Sequence, residues 1–429
     1  MILVNFLKTV NQPKNQFSLT LYITFSIVIV IAAVMAYINQ RFLRLPNAIG
    51  VMIIAIMISL ALIVSSNIWP GFFKESLSML DSVDFSQVLI VSLLNFLLFA
   101  GTIRVRITDL QSQLAPILLY STLSVILSSF IVGGLMFYIL QLLGLAVPFL
   151  HCLLFGALIS PTDPVAVIAI MRQAGLRKSL ETKFTGESIF NDGIALVLFF
   201  TILNAIRNPD ESVTIQNFAI AFLRQGLGGL LLGIIIGFVA TRLIKTIEAS
   251  TIEVMITLAV VMGGYLLARQ LNISAPLTMV AAGIVVGNYG KEQFMSDVSK
   301  DYLEKFWEVI EDILNVILFV LMGLELLFIQ QFENYWWIGL IAIFIVLVAR
   351  FISLWIPSQL VRQKISLQTV AFMTWGGLRG GVSIALALTL TRGLHRDLFV
   401  VTTYCFVVFS IIVQGLSIER YIEYRKKRK

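Results

Sequence analysis

The feature that most limits what this chain can fold into is a recurrence. Apolar runs follow one another from residue 19 to residue 419, parted by connectors too short to form a domain of their own. A bilayer core about 30 Å thick takes roughly 20 apolar residues per helix. The runs therefore read as thirteen spans near 19–39, 46–65, 87–104, 114–142, 147–171, 180–206, 216–241, 252–269, 273–289, 306–329, 335–356, 367–391 and 397–419. A composition 58% hydrophobic and 13% charged excludes an ordinary soluble globular protein. The fold class is all-α and polytopic. No P-loop, dinucleotide fingerprint or metal-ligand spacing occurs, so no cofactor and no nucleic-acid partner are expected. Cys152 and Cys405 fall inside spans as small packing residues, and His151 and His395 read as isolated interfacial residues.

Orientation follows from counting basic residues, which collect on the cytoplasmic side. With the N-terminus outside, the cytoplasmic connectors and tail hold 21 of the 31 Lys and Arg residues, and the opposite side holds 8. The formal charge of +7 thus reflects topology rather than an acidic partner. Six spans over 19–206 and six over 252–419, joined by a single helix at 216–241, would put the second set into the membrane upside down. That is the layout of inverted-repeat transporters, whose sites lie at mid-membrane where helices are interrupted. The matching fifth and twelfth spans carry SPTDP and TWGGLRGG, the most helix-hostile sequences of their halves.

In the fifth span Pro161 and Pro164 deprive two carbonyls of donors, and a cation, water or facing side chain has to satisfy them. Thr162 or Asp163 is placed to cap a new half-helix starting at Pro164. Capping alone is the bland reading of Asp163, but an aspartate at mid-span costs about 2.5–3.5 kcal/mol and marks function by default. The next span contains GESIFNDG, residues 186–193. Helical spacing sets Ser188 and Asp192 on one face, with Glu187 and Asn191 on the neighbouring one. This oxygen-rich set suits a hard monovalent cation. Asn191 is placed to bond Asp163 across the gap. Arg379, among the glycines of the twelfth span, needs a carboxylate, and Glu187 is the expected partner. Arg350 and Glu325 are further charges within spans, with gating or packing roles.

Together ISPTDPVAVIAI, GESIFNDG and GGLRGGVSIALAL resemble the NhaP/NHE-type monovalent cation/proton antiporters, over nearly the whole chain. The resemblance implies a homodimer of thirteen-helix protomers, with an ion-carrying core that moves elevator-fashion against a dimerisation domain. On this chain the dimerisation domain would comprise 19–104 and 251–332, and the core 105–206 and 333–422. A linker helix would occupy 207–250 and a basic cytoplasmic tail 423–429. Carried over position by position, Asp192 is the ion and proton carrier, Asn191 its partner, Ser188 a ligand, and Thr162 and Asp163 the unwound pair. Glu187 and Arg379 form the buried ion pair. A third-span glutamate that reaches the ion in some archaeal relatives is replaced here by Ala100. No long regulatory tail is expected.

The resulting expectation is an electroneutral Na⁺(Li⁺)/H⁺ antiporter, not an enzyme, in a bacterial inner membrane. One cation exchanges for one proton because both compete for Asp192. A K⁺/H⁺ exchanger of the same fold is the alternative. An intramembrane aspartyl protease using Asp163 and Asp192 would need a GxGD-like element, which the sequence lacks, and a passive channel would carry steady current.

Overall fold

The computed structural model describes residues 16–65, 93–108, 114–163, 167, 178–208, 215–329, 331–360 and 366–418. Within them every regular element is helical, and an isolated antiparallel bridge pairs Asp163 with Leu378. In chain order the helices are α1 (Gln16–Ile38), α2 (Asn47–Ser65), α3 (Leu94–Ile103), α4 (Leu114–Leu142), α5 (Phe149–Ile159), α6 (Lys178–Arg207) and α7 (Ile215–Ile244). There follow α8 (Ser250–Gln270), α9 (Ala275–Val285), α10 (Asp297–Leu324), α11 (Phe332–Leu360), α12 (Leu367–Trp375), α13 (Gly381–Leu388) and α14 (Arg396–Phe409). Among the described residues eight stretches are long and apolar enough to cross a membrane, lying in α1, α2, α4, α6, α7, α8, α11 and α14. The helices α3 and α5 are shorter apolar segments.

The two interrupted spans break where residue chemistry demands it. After Ile159 the helix stops, Ser160 turns its hydroxyl back onto the Gly156 carbonyl at 2.7 Å, and the chain runs non-helically through Asp163. Pro161 has no N–H to continue the ladder. The half-helix expected from Pro164 lies outside the described residues. The second break, Gly376–Gly380, separates α12 from α13.

The chain forms two compact units. The first takes its described residues from Met1–Val88 and Asn315–Ile329. In it the buried Asn39 side chain donates to the Leu45 carbonyl at 2.9 Å, bracing the turn between α1 and α2, and Ser59 donates to the Gly323 carbonyl at 2.9 Å. Glu325, expected as an intramembrane charge, is buried at the start of a 3₁₀ turn.

The second unit spans Leu89–Leu314 and Gln330–Lys429. Here α4 packs on α5, α6 and α11, while α14 packs on α11 and α13, and α13 reaches α5. A second group gathers α3, α7 and α8 around α9, and α6 touches both groups through α4 and α9. Small residues let backbones approach where no hydrophobic force drives helices together in lipid. A Cβ on Gly156 of α5 would lie 2.2 Å from the Ser129 carbonyl oxygen of α4. Gly156→Leu should therefore push α5 off α4 and cost at least about 1–3 kcal/mol. A lowered unfolding temperature of the detergent-solubilised protein is the expected reading.

Candidate functional site

Three elements of the second unit converge at the breaks. The Asp163 amide donates to the Leu378 carbonyl at 2.8 Å, tying the two interrupted segments where they pass each other. Close approach here depends on glycine. A Cβ on Gly380 would sit 2.6 Å from Asp163 Oδ2, and one on Gly377 would sit 3.2 Å from Thr162 Cγ2.

The third element is α6, which supplies the side chains that hold the first break. Ser188 donates its hydroxyl to the Thr162 carbonyl at 2.7 Å, and Asn191 Nδ2 donates to Thr162 Oγ1 at 2.6 Å. Asn191 Oδ1 lies 3.5 Å from the Thr162 amide, so the asparagine straddles that residue. Thr162, Ser188 and Asn191 are all buried. Asp192 and Asp163 keep partial exposure.

Sequence reasoning brought Thr162, Asp163, Ser188, Asn191 and Asp192 to one place, and the structure groups them there. Two details differ. Asn191 bonds Thr162 rather than Asp163, because Ser188 and Asn191 stand three residues apart and both face the unwound backbone. Glu187 pairs with Arg350, not with Arg379: Arg350 Nη2 lies 2.5 Å from Glu187 Oε1, with both side chains 2% exposed. Arg350 on α11 faces α6 across α4's Ser124, whose hydroxyl accepts from its Nη1 at 3.3 Å. A buried guanidinium in an otherwise apolar helix needs a carboxylate as much as Arg379 does, and that signal was present in the sequence.

Arg379 is held differently. Its amide donates to Ser410 Oγ at 3.0 Å, its Nη1 donates to the Gly377 carbonyl at 3.2 Å, and its guanidinium faces the Phe406 ring at 6.0 Å. It thus braces the second break from within while its charge reaches the site. The charges that act on Asp192 are Asp163 and Glu187, of like sign, and Arg379, of opposite sign. Ser410 and Ser124, which seat the two arginines, were not singled out from the sequence. Isolated serines in spans carry no signal of their own.

The fold and this site define an integral membrane protein, helical in its described regular elements, whose polar cluster lies where the chain leaving α5 passes the break between α12 and α13. The sodium/hydrogen exchanger transmembrane family matches residues 29–424, and the chain belongs to that family. It is 42% identical over 402 residues to the Na⁺/H⁺ antiporter NhaP of Pseudomonas aeruginosa, covering 91% of this chain and 93% of the relative. The Na⁺/H⁺ antiporter NhaH of Halobacillus aidingensis is 31% identical over 388 residues, with 89% and 93% covered. The fold is similar to that of the sodium proton antiporter MjNhaP1 from Methanocaldococcus jannaschii at pH 8. That match has a TM-score of 0.72 at 17% identity and covers 95% of this chain and 99% of that one.

Proposed function

We propose that this protein exchanges Na⁺ or Li⁺ for H⁺ electroneutrally, one for one, with both ions competing for Asp192. The observation that carries the reading is the charge set at the crossing. Asp163, Glu187 and Asp192 are three acids, and Arg350 and Arg379 are two bases, so the fully ionised cluster bears one excess negative charge. One proton or one monovalent cation neutralises it. A net charge in a low-dielectric path is costly to move, so the loaded forms cross and the empty form stays.

Thr162 and Ser188 offer further oxygens to the cation, Asn191 keeps the unwound strand in place, and Asp163 couples through its charge. Arg350 takes the structural role beside Glu187. Carriage by an elevator-type movement of a core over 105–206 and 333–422 belongs to the same reading. So do a homodimer seated through 19–104 and 251–332, a 207–250 linker, thirteen spans in two inverted repeats, and an inner-membrane location with the C-terminus inside. The relatives' shared description as Na⁺/H⁺ antiporters favours Na⁺ over the K⁺ alternative.

The test is reconstitution in vesicles with an imposed pH gradient and addition of Na⁺, Li⁺ or K⁺ in turn. Proton movement should follow Na⁺ and Li⁺; a response confined to K⁺ would reassign the cargo. Because Asn191 does not titrate, clamping the membrane potential at different values should leave the initial rate unchanged. A rate that climbs with potential would contradict one-for-one exchange. Gly380→Ala should slow exchange while sparing assembly, since its methyl displaces the Asp163 carboxylate or opens the bridge at Leu378. Exchange rates compared at equal protein incorporation read this directly.

A further inference from the structure

The chain has two histidines, 244 positions apart, and the fold brings them together. His151 lies in the first turn of α5, and His395 is the residue that leads into α14. Their Nδ1 atoms are 3.1 Å apart, with ring centroids at 5.3 Å and planes at 62°. In a neutral pair at that distance, one Nδ1 carries a proton and the other presents a lone pair. A metal ion can replace that proton, seated to one side of the line between the nitrogens and reached by a small tilt of each ring. Imidazole nitrogens bind Zn²⁺ at about 2.0–2.1 Å, and two such bonds at angles of about 90–110° set the nitrogens about 2.9–3.4 Å apart. The observed separation falls inside that window.

The two rings are held there by rigid structure. One turn further along each helix, Phe155 and Phe399 stack at 5.2 Å and 14°, both fully buried, so α5 and α14 are locked in register beneath the histidines. His395 itself adopts φ 55°, a left-handed conformation that turns the chain into α14. Both rings keep partial exposure, which leaves room for water to complete a coordination shell.

We propose that His151 and His395 form a two-imidazole site for a borderline divalent transition ion, Zn²⁺, Ni²⁺ or Cu²⁺, that clips α5 to the start of α14. Nitrogen donors select this ion class, whereas the oxygen-lined centre at Asp192 suits hard monovalent cations. The two sites therefore answer to different ions.

The test uses the full-length protein in detergent, stripped with a chelator and then titrated with ZnCl₂ or NiCl₂ at pH 7.5. The wild type should gain about 2–4 °C in unfolding temperature once the ion is about a hundredfold above its dissociation constant. His151→Ala should abolish the gain. His395→Asn should do so too, and asparagine tolerates the left-handed backbone, which keeps the fold. NaCl should not substitute for either salt. Absence of any rise in the wild type up to roughly 1 mM metal, or an equal rise in His395→Asn, would overturn the proposal.

Discussion

Asp192→Asn is expected to reduce Na⁺-driven proton movement to the level of protein-free vesicles while the protein assembles normally. The substitution keeps size and shape at a partly exposed position, so packing around it has little reason to change. What it removes is the exchangeable charge. With an amide at 192, the two remaining acids balance the two arginines, and the crossing resembles a permanently loaded carrier. Such a carrier has no deficit for a proton or a cation to fill, so both binding and coupling disappear together. Asp163→Asn is a separate probe. Exchange retained there would restrict Asp163 to its backbone role at the bridge, whereas exchange retained in Asp192→Asn would move the carrier elsewhere.

Arg350→Ala should be the most destabilising single change at the site. Glu187 and Arg350 are both nearly sealed from solvent, and removing one member of a buried pair leaves the other charged and unpartnered. The cost is about 3–5 kcal/mol, against a typical total stability of about 5–15 kcal/mol. The double variant Glu187→Gln with Arg350→Met should recover much of that loss, because it strands no charge. Arg379→Ala leaves the pair intact and forfeits its bond to the Gly377 carbonyl and its approach to Phe406. It should therefore be the milder of the two arginine variants in thermal unfolding. A reversed order would restore Arg379 as the partner of Glu187.

How much of this was legible in the sequence depends on the range of the physics involved. Helix ends and breaks are local. Pro161 lacks an N–H and Gly376, Gly377 and Gly380 crowd one short stretch, so the interruptions after Ile159 and Trp375 fall where the local sequence least favours a helix. Ser188 and Asn191 were legible as polar residues of the cluster, but spacing set them on neighbouring faces and gave Asn191 to Asp163, and their shared hold on Thr162 was not read. The choice between Arg350 and Arg379 was not legible either, because an ion pair between distant helices is set by packing. Here that packing runs through α4, where Ser124 seats Arg350, and no spacing in the sequence encodes it. The meeting of His151 and His395 was hidden for the same reason. Each looks isolated in its own segment, and only the stacking of Phe155 on Phe399 aligns the helices that carry them.

The central claim is that a proton and a cation take turns on one carboxylate, and proton release on cation binding measures it most directly. Na⁺ can be titrated calorimetrically into the purified protein in buffers of different ionisation enthalpy, near the pH where exchange is half-maximal. The account predicts release of a substantial fraction of a proton, up to roughly one per bound Na⁺, and none in Asp192→Asn. Sodium binding without proton release, or the same release in Asp192→Asn, would contradict it.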